Sequence, residues 1–255
     1  LKFNLDRKAQ RVRVFELGRV FLRDASVANT DTTVEGFHQP MRVAGVAYGA
    51  NDVLQWGRKE QGIDFFDVKG DVEAMLAPLR ATFEPGTHPA MHPGRCARVL
   101  MNGKLIGHVG ELHPQWRQSW ELPQAPVLFE LELDAVLQRA VPQFKAVAKH
   151  QAVERDLAIV VAERVTHSEV MAAVESAVPA SLLRSAVLFD VYRPKAVRPG
   201  EEHAAGGAVA AGEKSLAVRL TLGSDEASLT EAEIEAAVQA VVTQLVARTG
   251  GRLRV

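Results

Sequence analysis

Five residues between positions 88 and 113 form the densest set of metal-ligating side chains in the chain: His88, His92, His108, Glu111 and His113. His88 and His92 are spaced i, i+4, which places two imidazoles on one face of a helix. With a carboxylate nearby, such a pair can bind zinc and activate a water for hydrolysis. Pro89 and Pro93 disfavour that helix, and the His-Pro pairs read instead as entry points to strands and helices. A free-standing metal-dependent hydrolase using the His/Glu cluster of residues 88–113 is the alternative reading. Cys96 lies near His92, but no motif sets a base against its thiol, and it reads as a small apolar filler. Gly107–Gly110 lacks both the fingerprint and the following helix of a dinucleotide site.

A different chemistry is written in two strand-like stretches, Ala186–Arg193 (AVLFDVYR) and Glu213–Leu222 (EKSLAVRLTL). In the second, Leu216, Val218, Leu220 and Leu222 alternate with Ser215, Ala217, Arg219 and Thr221, a period of two with one apolar face. In the first, the same alternation puts Val187, Phe189 and Val191 on one face and Leu188, Asp190 and Tyr192 on the other. A half-covered antiparallel sheet gives this pattern. Its open face would carry an aromatic ring, a carboxylate, a hydroxyl and a guanidinium, groups that stack on and hydrogen-bond an unpaired base.

The flanking segments complete a module that positions those strands. Arg155–Val161 is a β-branched strand. Thr166 with Glu169, and Thr230 with Glu233, have capping-box spacing, each opening a helix. The first helix has Val170, Met171, Val174 and Val178 as its apolar stripe. The second has Ile234, Val238, Val241, Val242, Leu245 and Val246, and stops at Gly250 and Gly251. Arg252–Val255 is a last short strand. The order βαββαβ is the ferredoxin-like arrangement, with two helices on one sheet face.

The 255 residues carry a net charge of −1, and 47% are hydrophobic, enough for two cores. Within 151–255 there are 11 Lys and Arg against 14 Asp and Glu, which argues against nucleic-acid binding by charge alone and implies a small counterion-release contribution. Its positive residues gather at Arg193, Lys195, Arg198, Lys214 and Arg219, on or beside the central strands. A single cysteine, no apolar run of spanning length and a polar Leu1–Arg13 fit a cytoplasmic protein, with no membrane association and no signal peptide.

Upstream, Val12–Leu22 reads as a strand interrupted at Gly18, Asp24–Gln39 as a loop and Met41–Gly49 as a small-residue strand. Asp64–Leu79 reads as a helix with Phe66, Val68, Val72, Met75, Leu76 and Leu79 on a broad apolar stripe. Ala97–Met101 and Lys104–Gly110 flank Asn102-Gly103, a strong hairpin signal. His113-Pro114 opens a short helix bearing Trp116 and Trp120, and Val127–Leu133 alternates as a strand. Strands predominate, with a few helices, an α+β pattern. Lys145–Gln151 reads as a linker, and the Gly/Ala-rich Val197–Gly212 as a mobile loop. The expected domains are residues 1–143 and 149–255.

The stretches ERDLAIVV (154–161), LFDVYR (188–193), KSLAVRL (214–220) and LTEAEIEAAV (229–238) resemble the anticodon-binding domain of the bacterial phenylalanyl-tRNA synthetase β subunit. DFFDVKGDVEAML (64–76), HPAMHPGR (88–95), IGHVGELHP (106–114) and VLFELELD (127–134) resemble its catalytic-like domain. The resemblance implies a class II synthetase-like antiparallel sheet domain followed by a ferredoxin-like domain, together roughly the last third of that subunit. It implies no catalytic residue and no metal in this stretch. ATP and Mg2+ would be used by the complete αβ enzyme, on the α subunit, with editing and magnesium sites elsewhere. The implied partners are the α subunit, in an (αβ)2 assembly, and tRNA(Phe). Its anticodon contacts fall on the two central strands. There Tyr192 would stack a base, Asp190 and Ser215 would select it, Ala217 would leave room, and Arg193 and Arg219 would hold phosphates.

Overall fold

The structure, a computed structural model, describes residues 1–139, 141, 144, 149–194 and 209–254. It divides into two compact units, Leu1–Gln143 and Phe144–Val255. In the first, α1 (Lys2–Asp6) precedes β1 (Arg11–Arg19), β2 (Leu22–Arg23), β3 (Phe37–His38), β4 (Met41–Gly49), α2 (Phe65–Leu76), β5 (Thr82–Pro85), β6 (Met91–Met101), β7 (Lys104–Leu112), α3 (Pro114–Ser119), β8 (Val127–Glu132) and α4 (Leu133–Val136). Six strands form one antiparallel sheet in the order β1-β4-β8-β7-β6-β5. The alternation along β8 puts Val127, Phe129 and Leu131 on the face that α2 covers, where they meet Val68, Val72 and Leu76 in one hydrophobic core.

Local signals explain where these elements start and turn. Asp64 caps α2 by accepting from the amides of Phe66 and Asp67, and the Asp67 carboxylate accepts from the Asp64 amide in return. The β6–β7 hairpin turns at Asn102 (φ 52°) and Gly103 (φ 77°), the left-handed backbone that a two-residue turn requires. Three expectations change. Gly18 lies inside β1, and the break falls at Val20–Phe21. Phe66 is 73% exposed, because it sits two residues before Val68 and so about 200° around the helix from the buried 68–72–76 stripe. Leu79 packs on the core from beyond the helix end.

The second unit runs β9 (Val153–Ala162), α5 (His167–Ala177), β10 (Leu183–Tyr192), β11 (Glu213–Leu222), α6 (Glu231–Thr249) and β12 (Arg252–Leu253). Its sheet order is β10-β11-β9-β12, all antiparallel, with the two helices packed on one face. That is the ferredoxin-like arrangement. Both capping boxes form: Thr166 with Glu169 and Thr230 with Glu233 close reciprocally on the first turns of α5 and α6. Gly250 ends α6 in the left-handed region (φ 66°), where a side chain would be strained. The buried stripe of α6 is Ile234, Ala237, Val241 and Leu245, while Val246 is 44% exposed at its edge. Residues 145–148 of the expected linker, and residues 197–208 of the expected Val197–Gly212 loop, lie outside the described residues, as do Lys195 and Arg198.

Candidate nucleic-acid interface

On β11, Leu216, Val218, Leu220 and Leu222 point into the helix-covered core. Ser215, Ala217, Arg219 and Thr221 therefore point to the opposite face, as the period of two requires. Pairing across the sheet carries this face through four rows. Tyr192, Ser215, Val160 and Arg252 are aligned, then Asp190, Ala217 and Ala158, then Val187, Arg219 and Asp156, then Ser185, Thr221 and Glu154. Asp190, Tyr192, Ser215, Ala217 and Arg219 thus share one face. Ala217 and Ala158 give it a shallow floor.

The first half of β10 differs from the expectation. The register slips between Leu188, opposite Val218, and Asp190, opposite Ala217, leaving Phe189 as an inserted residue. Before the bulge the faces are reversed relative to simple alternation. Leu188 and Ala186 pack against the core, whereas Val187 and Phe189 are 53% and 52% exposed. Phe189 therefore joins Asp190 and Tyr192 on the open side, a residue that sequence reasoning had placed inside. No local signal marks the bulge, because an inserted residue in an apolar run leaves composition unchanged.

The electrostatics alter three assigned roles. Arg219 makes a bidentate pair with Asp156 (2.8 and 2.9 Å) and reaches Glu154 at 3.4 Å. The Arg219 hydrogen bonds hold the Asp156 carboxyl below its usual range. Arg193 donates to Glu163 at 2.9 Å, and the buried Lys214 donates to the Glu163 carbonyl at 2.8 Å. Neither Arg193 nor Arg219 is thus a free cation waiting for a phosphate. Ser215 is only 4% exposed, so its hydroxyl is not offered to a base in this arrangement. Tyr192, 46% exposed, presents its ring, and the Arg254 guanidinium lies 5.3 Å from the ring centroid. A second guanidinium, that of Arg219, lies 5.3 Å from the Phe189 centroid. Sequence reasoning missed Arg254, because its place depends on β12 pairing with β9, about ninety residues earlier in the chain.

The histidine cluster does not assemble as a metal site. Nδ1 of His88, His92 and His113 accepts from the amides of Ala90, Gly94 and Gln115 respectively, and His113 thereby caps α3. Glu111 is held bidentately by Arg95. His88 and His108 rings lie 5.1 Å apart; burial first, then His88 and Arg98, push the His108 imidazole below its ordinary value. Among the described residues no group of three or more His, Cys, Asp or Glu is placed to hold a metal ion. Cys96 is buried against Met91, and that burial raises its thiol pKa, the reverse of an activated nucleophile.

In the first unit, Val14, Phe15 and Leu17 of edge strand β1 are 49%, 74% and 52% exposed, and Phe21 and Leu22 continue the apolar surface. Phe15 borders a groove of about 210 Å3 with Val46, Val68, Met75 and Phe129. Among the described residues no helix is long and apolar enough to cross a membrane.

Comparison with known proteins adds to this geometry. Residues 1–133 match the family model described as the phenylalanyl tRNA synthetase beta chain CLM domain, and residues 148–254 match the ferredoxin-fold anticodon binding domain. The chain is 47% identical over 258 residues to the phenylalanine–tRNA ligase beta subunit of Cupriavidus pinatubonensis, covering 100% of this chain and 31% of that protein. The corresponding subunit of Ralstonia nicotianae is 46% identical over 258 residues with the same coverage. That of Chromobacterium violaceum is 43% identical over 252 residues, covering 99% and 29%. The chain thus spans about a third of the length of these curated relatives. A pyrrolysyl tRNA synthetase from Desulfitobacterium hafniense superposes with a TM-score of 0.34 at 12% identity, covering 53% of this chain and 43% of that one, too slight a likeness to argue from.

Proposed function

The chain belongs to the phenylalanyl-tRNA synthetase β-chain family, and from that premise we propose that it is the non-catalytic carboxy-terminal part of a phenylalanine–tRNA ligase β subunit, whose second unit reads the anticodon of tRNA(Phe). The observation that carries the reading is the match of residues 148–254 to an anticodon-binding domain whose uncovered sheet face holds Asp190, Tyr192 and Ala217 together. A half-exposed ring beside a carboxylate suits an unpaired base: the ring supplies stacking to any base, and the carboxylate accepts from the N–H edge of guanine.

In this reading the first unit is a scaffold that contacts the α subunit through the exposed apolar edge around Phe15, Leu17 and Phe21, within an (αβ)2 assembly in the cytoplasm. The α subunit carries the active site and uses ATP and Mg2+ to join phenylalanine to tRNA. The arginines nearest the β6–β7 hairpin support a non-catalytic role, since Arg95 is tied to Glu111 and Arg98 to Glu84. The test is removal of residues 149–255 from the complete αβ enzyme. Phenylalanine-dependent ATP–pyrophosphate exchange should survive while tRNA charging collapses. Equal loss of both would refute a tRNA-reading role separate from the chemistry.

A further inference from the structure

Two ring–guanidinium pairs stand on one face of the second unit, Tyr192 with Arg254 and Phe189 with Arg219, and Asp190 shares that face opposite Ala217. Resting on the anticodon reading, we propose that this face takes two consecutive unpaired nucleotides, with Phe189 as a second stacking surface and Arg254 as the cation that holds the backbone phosphate.

The bulge is what creates the second surface. Phe189 and Asp190 together occupy the place opposite Ala217, and Tyr192 stands two residues farther along, opposite Ser215. Two strand residues span about 6.6–6.8 Å, twice the roughly 3.4 Å rise between stacked bases. Neighbouring bases on these rings are therefore splayed apart, as in sequence-reading of single-stranded loops, rather than stacked on each other. An ordinary strand would have turned Phe189 into the core. Instead it is 52% exposed and absent from the hydrophobic cluster beneath it. Bulges recur where a side chain must be re-aimed beside a binding site.

Charge selects Arg254 among the described arginines on or beside the face. Arg193 is paired with Glu163, Arg219 with Asp156 and Glu154, and Arg252 with Glu213. Arg254 is exposed and makes no ion pair among the described residues. The Arg219 group carries one positive charge against two negative ones and so repels a phosphate. Among the described residues no carboxylate offsets the Arg254 charge. The Arg254 guanidinium reaches the Tyr192 ring across the open face from the opposite edge of the sheet, beyond β9. Its position suits it to close over a base stacked on that ring or to meet the adjoining phosphate.

The test measures tRNA(Phe) binding to the complete αβ enzyme across a salt series. Phe189→Leu keeps apolar bulk but loses the π face; it should weaken binding about tenfold with an unchanged salt slope, and Phe189→Tyr should bind as the parent does. Arg254→Gln should weaken binding and reduce the log–log salt slope by about 0.7, the increment for one single-strand phosphate contact, and Arg254→Lys should restore it. If Phe189→Leu binds as the parent while Tyr192→Ala is weakened, the second surface is refuted and the anticodon reading stands. If neither substitution weakens binding, both readings fall. An unchanged slope in Arg254→Gln removes Arg254 from the phosphate.

Discussion

The bulge in β10 makes a prediction about stability that simple strand alternation would reverse. Leu188 packs on the core of the second unit from opposite Val218, and Phe189 stands half-exposed on the other face. Leu→Ala in a core costs about 2–5 kcal/mol, and Leu188, only partly buried, belongs at the low end, about 2 kcal/mol. Full burial of a Phe is worth roughly 1.5–3 kcal/mol, so truncating one that is already half in water forfeits about 1 kcal/mol and leaves no cavity. For a unit of roughly 100 residues each kcal/mol moves the melting temperature by about 4–8 °C. Leu188→Ala should then lower it by about 8 °C or more, and Phe189→Ala by about half that or less. The assay must avoid tryptophan fluorescence, because Trp56, Trp116 and Trp120 all lie in the first unit. Calorimetry, or hydrogen exchange at the β9–β11 amides, follows the second unit directly. If Phe189→Ala proves the more damaging of the two, the bulge is misplaced and Phe189 belongs to the core.

Other outcomes follow from the same geometry. The chain alone should show only background ATP–pyrophosphate exchange with phenylalanine, and clear exchange would overturn the non-catalytic assignment. Phe15→Ser with Leu17→Ser should reduce co-purification with the α subunit while leaving the circular dichroism of the chain unchanged, since both side chains are already exposed. Arg252 and then the Ala210 amide hold the Glu213 carboxyl at about 2, below its ordinary 4.5. A carboxylate held low stabilises the fold above its unfolded pKa, and the contribution is lost as pH falls toward the folded value. The stability of the second unit should therefore decline between about pH 4.5 and 2, and Glu213→Gln should flatten that part of the pH profile. An identical profile in the variant would exclude this pair from acid sensitivity.

What could be read from the sequence is what is decided locally. The capping boxes at Thr166 and Thr230 and the turn at Asn102-Gly103 are each complete within four residues, and each appears where expected. The face carrying Ser215, Ala217 and Arg219 follows from an unbroken alternation along β11. What could not be read depends on distant pairing. The partners that occupy Arg219 and Arg193, Asp156 and Glu163, come from β9 and the turn after it, 63 and 30 residues away. The burial of Ser215 and the approach of Arg254 to Tyr192 likewise need the assembled sheet. The bulge at Phe189 lies between these cases: it is local, but a single inserted residue in an apolar run changes the face without changing the pattern.

The central claim is that the face bearing Asp190 and Tyr192 reads the anticodon, and charging kinetics of the complete αβ enzyme test it most directly. Tyr192→Ala should lower kcat/KM for tRNA(Phe) by about tenfold to a hundredfold, the kinetic equivalent of roughly 1–3 kcal/mol of base stacking, with ATP–pyrophosphate exchange untouched. Asp190→Ala should lose less on the cognate tRNA and more of the preference against anticodon-swapped tRNAs. If both variants charge cognate and anticodon-swapped tRNAs as the parent does, this face does not read the anticodon.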